Sequence, residues 1–351
     1  MFPNPNHENP IKVSKQKLTA WQREHPYPGH KGREAGFILQ SAAKWLKSTA
    51  NKAAPNMLFD NFWFEKELCI MFADTNTGKS VLAVQIADSI SRGVPVNGLE
   101  LTARPCGVLY FDYELTDEQF HTRFTRKGKD TYQFDKRFSR AVTNPLADKM
   151  HRFGSYQQYI ENEIENALLT ANAKVLIIDN ISCLNFDTHA LTGAINLLRS
   201  LHTIKNKYGI SILVLAHTPK RNPTKPISRN DLQGSKMLIN FCDSAFAIGE
   251  SRVVPGLRYL KQIKQRSTIQ QYGAENVCLF HLHKQGNFLQ FIFTGRAAES
   301  AHLLTGSRQY HKSIGHEVEA LSRQQLSIRQ IAFKLNLAPA TVGRMVKRMN
   351  T

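Results

Sequence analysis

The sequence predicts an α/β fold built on a mostly parallel central sheet, followed by a small all-α module. Two observations carry the first part. Between residues 68 and 216, apolar runs of strand length alternate with amphipathic stretches of helical length. Those runs are apolar throughout instead of alternating, as strands covered on both faces are. A third observation carries the module: near the C-terminus, two short helical patterns are separated by a tight turn and followed by exposed basic positions.

Taken in order, residues 1–56 are rich in Pro, His and Lys and lack a sustained period, so a basic and partly irregular extension is expected, with a short amphipathic helix between Phe37 and Leu46. Met57–Phe64 is dense in aromatics and reads as core, with a stacking platform for a base as the alternative. The body is expected over residues 57–296, a linker over 297–311 and the module over 312–351. Strands are expected at Leu68–Ala73, Gly107–Glu114, Lys174–Asp179, Ile210–Ala216, Ser244–Gly249 and Leu257–Lys264, and a closing hairpin at Asn276–His283 with Phe288–Thr294. Helices are expected from Lys79 to Arg92, from Thr116 with its capping-box spacing to Gln119, from Ser155 to Ala171, from Leu191 to Lys207 and from Leu232 to Phe241. Residues 126–150 read as irregular or mixed structure.

Composition narrows the function classes. The chain has 351 residues, 42% hydrophobic, with no run near the ~20 apolar residues of a membrane span. Its first residues have no apolar leader core, so a cytoplasmic location is expected. Five cysteines are scattered without C-x-x-C spacing, an arrangement suited to buried thiols and not to disulfides or zinc. The net charge is +18, which favours a polyanionic partner, nucleic acid first. Residues 1–56 and residues 301–351 each carry +6 of it.

Chemistry enters at the first strand. After Leu68–Phe72 come Ala73, Asp74, Thr75, Asn76 and Thr77, then Gly78, Lys79, Ser80 and Val81 opening a helix. That is the layout of a P-loop: a tight turn aims backbone N–H groups inward, the helix N-terminus adds partial positive charge, and the lysine reaches the β- and γ-phosphates. ATP with Mg²⁺ is the expected ligand, and the Ser80 hydroxyl is the expected protein ligand to the metal. Ala73 stands where the motif has its first glycine.

Such a site also needs a carboxylate in the metal shell and a group that orients the attacking water. Three acids end strands at the edge where ligands of open α/β sheets bind: Asp112, Glu114 and Asp179. Four apolar residues precede Asp179, which suits it best to the metal and leaves Glu114 as the base. Asp112 ends a similar strand and stays open as the alternative ligand.

The order of these parts resembles the RecA-like ATPase superfamily, and within it the DnaB-type replicative helicases and the hexameric RepA-like plasmid helicases. The resemblance covers roughly Met57 to Thr294. It implies that Glu114 polarises the water, that Asp179 is the Walker B acid, and that His217 at the end of the next strand senses the γ-phosphate. It also implies that the loop carrying Lys220, Arg221, Lys225 and Arg229 touches DNA in a central channel. Lys264 and Arg266 match the Lys-x-Arg element that reaches a neighbour's ATP, so a homo-oligomeric ring or filament is implied. His217 as an ordinary strand-end histidine, and Lys264 with Arg266 as a solvated face, remain open.

The C-terminal pattern resembles a helix-turn-helix. Ser327 caps a helix whose Ile328, Ile331, Ala332 and Leu335 share a face, and Pro339 opens a second helix carrying Thr341, Arg344, Lys347 and Arg348. The resemblance implies that this second helix enters the major groove of DNA. Three readings follow: an ATP-driven motor or clamp on DNA, a DNA-binding regulator with a slow ATPase switch, and a RecA-like signalling ATPase without a nucleic-acid role.

Overall fold

The computed structural model describes residues 38–50, 53–144, 152–181, 190–218, 222, 224–232, 236–304, 318–324, 326–335, 339, 342–343 and 345–346. The elements in its first half are α1 (Ala42–Thr49), β1 (Met57–Phe59), β2 (Trp63–Phe64), β3 (Leu68–Ala73), α2 (Lys79–Arg92), β4 (Val108–Asp112), α3 (Asp117–Arg123), β5 (Thr125–Arg126), β6 (Asp130–Thr131), β7 (Phe138–Val142) and α4 (Tyr156–Ala171). They continue with β8 (Val175–Asp179), α5 (Ala190–Tyr208), β9 (Ser211–His217), α6 (Lys236–Phe241), β10 (Ser244–Glu250), β11 (Leu257–Lys264), β12 (Val277–Gln285), β13 (Phe288–Ala297) and α7 (Ile328–Lys334).

Among the described residues, nine strands form one sheet in the order β13-β12-β11-β10-β3-β9-β8-β4-β7. From β10 to β7 every pairing is parallel, and from β10 to β13 every pairing is antiparallel. β3, the strand before the phosphate loop, lies between β9 and β10. Its neighbour β9 separates it from β8, which ends in Asp179. This is an α/β fold with a mostly parallel core.

The period of two along β3 sorts its side chains between two layers. Cys69, Met71 and Ala73 join Leu82, Val84 and Ile86 of α2 on one face. Leu68, Ile70 and Phe72 join Ile160, Ile164 and Leu168 of α4 and Leu198 and Leu201 of α5 on the other. α4 shows how little sequence this takes: apolar residues four apart, a Ser155 side chain accepting from the Gln158 N–H, and Asn172 ending it at φ 46°. α2 is different, because Lys79 to Ser91 are all buried. The β12–β13 hairpin covers its outer side, and Gln85 holds it there by accepting from the Phe291 N–H (2.8 Å) and donating to the Phe291 carbonyl (3.0 Å).

One element departs from expectation. Residues 138–142, inside the stretch read as irregular or mixed structure, form β7, which pairs in parallel with β4 along Val108–Asp112. Phe138, Ser139, Arg140 and Ala141 are half-buried and Val142 is exposed, so this edge strand shows neither the apolar run of a central strand nor a clean alternation. The aromatics of 57–64 are core: Phe59, Phe62 and Trp63 are buried, and Phe62 stacks on Tyr272 with centroids 4.9 Å apart. α1 follows an N-cap at Ser41 and buries none of its residues. Toward the C-terminus, α7 covers Ile328–Lys334 with Ser327 accepting from the Gln330 N–H at 3.4 Å. Val318, Ile331, Ala332 and Val342 form a small buried cluster there. No helix among the described residues is long and apolar enough to cross a membrane.

Candidate functional site

The parallel strands deliver their C-terminal ends to one edge, and the chemistry collects there. Ala73 pairs with His217 at the tip of β3 and β9, and Asp112 pairs with Asp179 at the tip of β4 and β8. The chain then turns through Asp74–Thr77 into α2. Gly78, at φ +101°, makes the last step of that turn, and a Cβ there would meet the Phe291 ring at 2.9 Å. Glycine is required on both counts.

Lys79 folds back over the loop. Its Nζ donates to the carbonyls of Ala73 (3.2 Å) and Asp74 (2.9 Å) and lies 3.2 Å from Nδ1 of His217. Burial pushes this ammonium's pKa down, and the charges of Glu114, Asp179 and Asp74 oppose the fall. An ammonium can only donate, so Nδ1 of His217 is the acceptor and the proton of the neutral ring is assigned to Nε2. That nitrogen is 3.2 Å from Oε1 of Glu114. Asn180 completes the group: its amide nitrogen donates to the same Glu114 oxygen and lies 2.9 Å from His217 Nε2. The hydrogen bond from His217 is the largest influence holding the Glu114 carboxyl below the usual range, against the effect of burial. One imidazole thus spans the loop lysine and the Glu114 carboxylate.

The two candidate metal carboxylates differ in what is left of them. Asp112 uses Oδ1 to accept from the N–H groups of Glu114 (3.2 Å) and Leu115 (2.9 Å), and Oδ2 to accept from Arg140 at 2.8 Å. Both its oxygens serve the chain itself. Asp179 is fully buried; Oδ2 accepts from the Tyr110 hydroxyl at 2.6 Å, while Oδ1 has no partner. Burial drives its carboxyl up to about 6, a shift that the Ser80 and Tyr110 hydroxyls oppose. A buried carboxylate oxygen without a partner asks for a cation or water, and Ser80 and Asp179 together are oxygen donors of the kind Mg²⁺ takes.

The other predicted residues lie elsewhere. Lys264 donates to the carbonyls of Ile239 (2.6 Å) and Cys242 (2.7 Å), and Arg266 to the Asn240 carbonyl (3.0 Å) and to Asp243 (3.3 Å). Both therefore sit on the C-terminal end of α6, where cations are favoured. Lys264 is level with Ala245, which is level with Ile70, three residues back along β3 from Ala73. That is ~10 Å from the phosphate edge, and Arg266 is further. Lys225 and Arg229 are exposed on the loop after β9. Lys220, Arg221, Thr341, Arg344, Lys347 and Arg348 fall outside the described residues. Sequence reasoning missed Asn180, Tyr110 and Arg140. The usable signals were a polar residue directly after the Asp179 strand and a tyrosine inside the apolar run of β4.

A match to the AAA domain family runs over residues 38–223. No curated protein matches the sequence significantly. Among solved structures, the KaiC-like protein of the hyperthermophilic archaeon Pyrococcus horikoshii OT3 aligns at 13% identity and a TM-score of 0.48, covering 68% of this chain and 93% of the archaeal one. The family match takes in the phosphate loop, Glu114, Asp179 and His217 and more than half of the 351 residues, and the chain belongs to the AAA-domain P-loop ATPases.

Proposed function

We propose that this protein is an ATP-hydrolysing, homo-oligomeric motor or clamp that acts on DNA, of the kind that serves replication or mobilisation of a mobile element. The observation that supports the catalytic part best is the gathering of Lys79, Ser80, Asp179, His217 and Glu114 on one sheet edge. In this reading the loop from Ala73 to Thr77 and the amides of Gly78 to Val81 hold the phosphates, and Lys79 exchanges its two loop carbonyls for phosphate oxygens. Ser80 and Asp179 hold Mg²⁺, which when bound neutralises phosphate charge. Glu114 accepts a proton from the attacking water. His217, touching both Lys79 and Glu114, registers whether the phosphate position is filled.

The DNA part rests on charge. The exposed Lys225 and Arg229, with Lys220 and Arg221 beside them in sequence, supply phosphate contacts, which do not depend on base sequence. The C-terminal module, whose sequence carries Thr341, Arg344, Lys347 and Arg348, reads base edges. Homo-oligomerisation is supported by the place of Lys264 and Arg266, which are too far from the phosphate loop of their own subunit to serve it and suit a neighbour's.

Turnover should be measured with and without single- and double-stranded DNA, alongside solution mass with nucleotide bound. Stimulation by DNA and a mass that is a multiple of the 39.8 kDa chain are expected. ATP turnover that ignores DNA, from a protein with no DNA affinity, would favour the signalling ATPase instead. Turnover that ignores DNA, with sequence-selective duplex binding retained, would favour the regulator.

A further inference from the structure

The phosphate loop is braced from the antiparallel side of the sheet, and one side chain there has no role so far. Arg258 is the second residue of β11, level with Glu250 at the end of β10. Its side chain is 13% exposed. The guanidinium distributes its donors three ways: Nε to the carbonyl of Thr77 at 3.1 Å, one terminal nitrogen to the carbonyl of Gly256 at 2.7 Å, and the other toward Glu250 Oε1 at 3.6 Å. Thr77 is the residue before Gly78.

A peptide group points its C=O and its N–H in opposite directions. Holding the Thr77 carbonyl from outside therefore aims the Gly78 N–H into the loop. The carbonyls at the two ends of the loop are engaged as well: Ala73 accepts from the Thr218 N–H at 3.0 Å and from Lys79, and Gly78 accepts from the Leu82 N–H at 3.0 Å. The Phe291 ring packs against Gly78 itself, 2.9 Å from where a Cβ would stand. The Thr77–Gly78 peptide is thus fixed by β11 through Arg258 and by β13 through Phe291.

We propose that Arg258 is a positioning residue of the phosphate site, which orients the Thr77–Gly78 peptide so that its N–H meets the phosphates common to ATP and ADP. This rests on the reading of the site as a nucleotide site. Because the guanidinium acts through the loop amides and not on the γ-phosphate, ATP and ADP should depend on it equally. A charge-assisted hydrogen bond of this kind is strong enough to matter.

The test is titration of the full chain with fluorescent ATP and ADP analogues in Mg²⁺, together with KM and kcat for ATP. Arg258→Ala is expected to weaken both nucleotides by the same factor, about tenfold, with KM rising alike and kcat within about twofold. Arg258→Lys, which keeps a charged donor, should recover most of the loss and serves if the alanine variant does not fold. Glu250→Gln removes the acidic partner but leaves the Thr77 contact, and should bind both nucleotides like the parent. Unchanged affinity in Arg258→Ala, a loss confined to ATP, or an equal loss in Glu250→Gln would each overturn the proposal. If the parent protein binds neither nucleotide while remaining folded, the nucleotide reading fails and takes this inference with it. Parent binding that is lost in Lys79→Ala but kept in Arg258→Ala removes this inference alone.

Discussion

His217 bridges two candidate functional side chains at the site. With Nδ1 facing Lys79 and Nε2 facing Glu114, it connects the lysine proposed to meet phosphate to the carboxylate proposed to meet water. The two ends have separable tasks, so their variants should fail differently. Lys79→Ala removes the charge facing the phosphates and should abolish nucleotide binding. Glu114→Gln keeps size and hydrogen bonding but cannot take a proton, so it should bind ATP normally and hydrolyse it about 10²- to 10⁴-fold more slowly. Equilibrium binding and single-turnover hydrolysis on the two proteins separate these outcomes; equal hydrolysis by Glu114→Gln and the parent would sink the assignment of the base.

Far from that edge, three elements meet at Asp243, in the turn between α6 and β10. Its Oδ2 accepts from the Leu68 N–H that starts β3 (2.9 Å) and from Lys205 of α5 (2.7 Å), and Oδ1 accepts from Arg266 (3.3 Å). Burial pushes this carboxyl up, but Lys205 and the Leu68 amide outweigh it and hold it below the usual range. A carboxyl depressed in the fold contributes stability that is present above its unfolded pKa and is lost as pH falls through its folded value. Asp243→Asn should therefore cost about 2–3 kcal/mol at pH 7, since Lys205 is buried and would lose its partner. It should also flatten the rise in stability with pH below about 4, under the unfolded carboxyl's own pKa. Urea unfolding at pH 7 and at several pH values below about 4 checks both, and adding Lys205→Met should recover part of the loss at pH 7.

The whole chain combines a sheet domain with basic segments at both ends, and the separation between its phosphate edge and the Lys264–Arg266 end is what the proposed assembly would use. If Arg266 completes a neighbour's site, mixtures of Arg266→Ala and Lys79→Ala subunits should regain turnover, since some interfaces pair an intact loop with an intact arginine. The rate of mixed assemblies, with mixing confirmed by mass, measures this. No recovery at any ratio would leave Arg266 as the cap of α6 that its contacts with Asn240 and Asp243 already make it.

Local chemistry was enough to recognise the phosphate loop, the run before Asp179, the capping box at Thr116 and the alternation of strands with helices. Each depends on residues adjacent in the chain: a glycine at positive φ, a cap three residues from its partner, an apolar run of strand length. What the chain order could not disclose arose from partners far apart in sequence. β7 becomes a strand because β4 offers it an edge, although half-buried residues give it no period of its own. Asp112 and Asp179 end similar apolar strands, but Arg140, from β7, and two loop N–H groups occupy both oxygens of one while the buried Oδ1 of the other accepts no hydrogen bond. Asn180, adjacent to an acid in sequence, acquires a role only when β9 brings His217 and the turn after β4 brings Glu114 to it. Strand ends placed the reactive residues at one edge, and long-range packing determined which of their atoms remain available for chemistry.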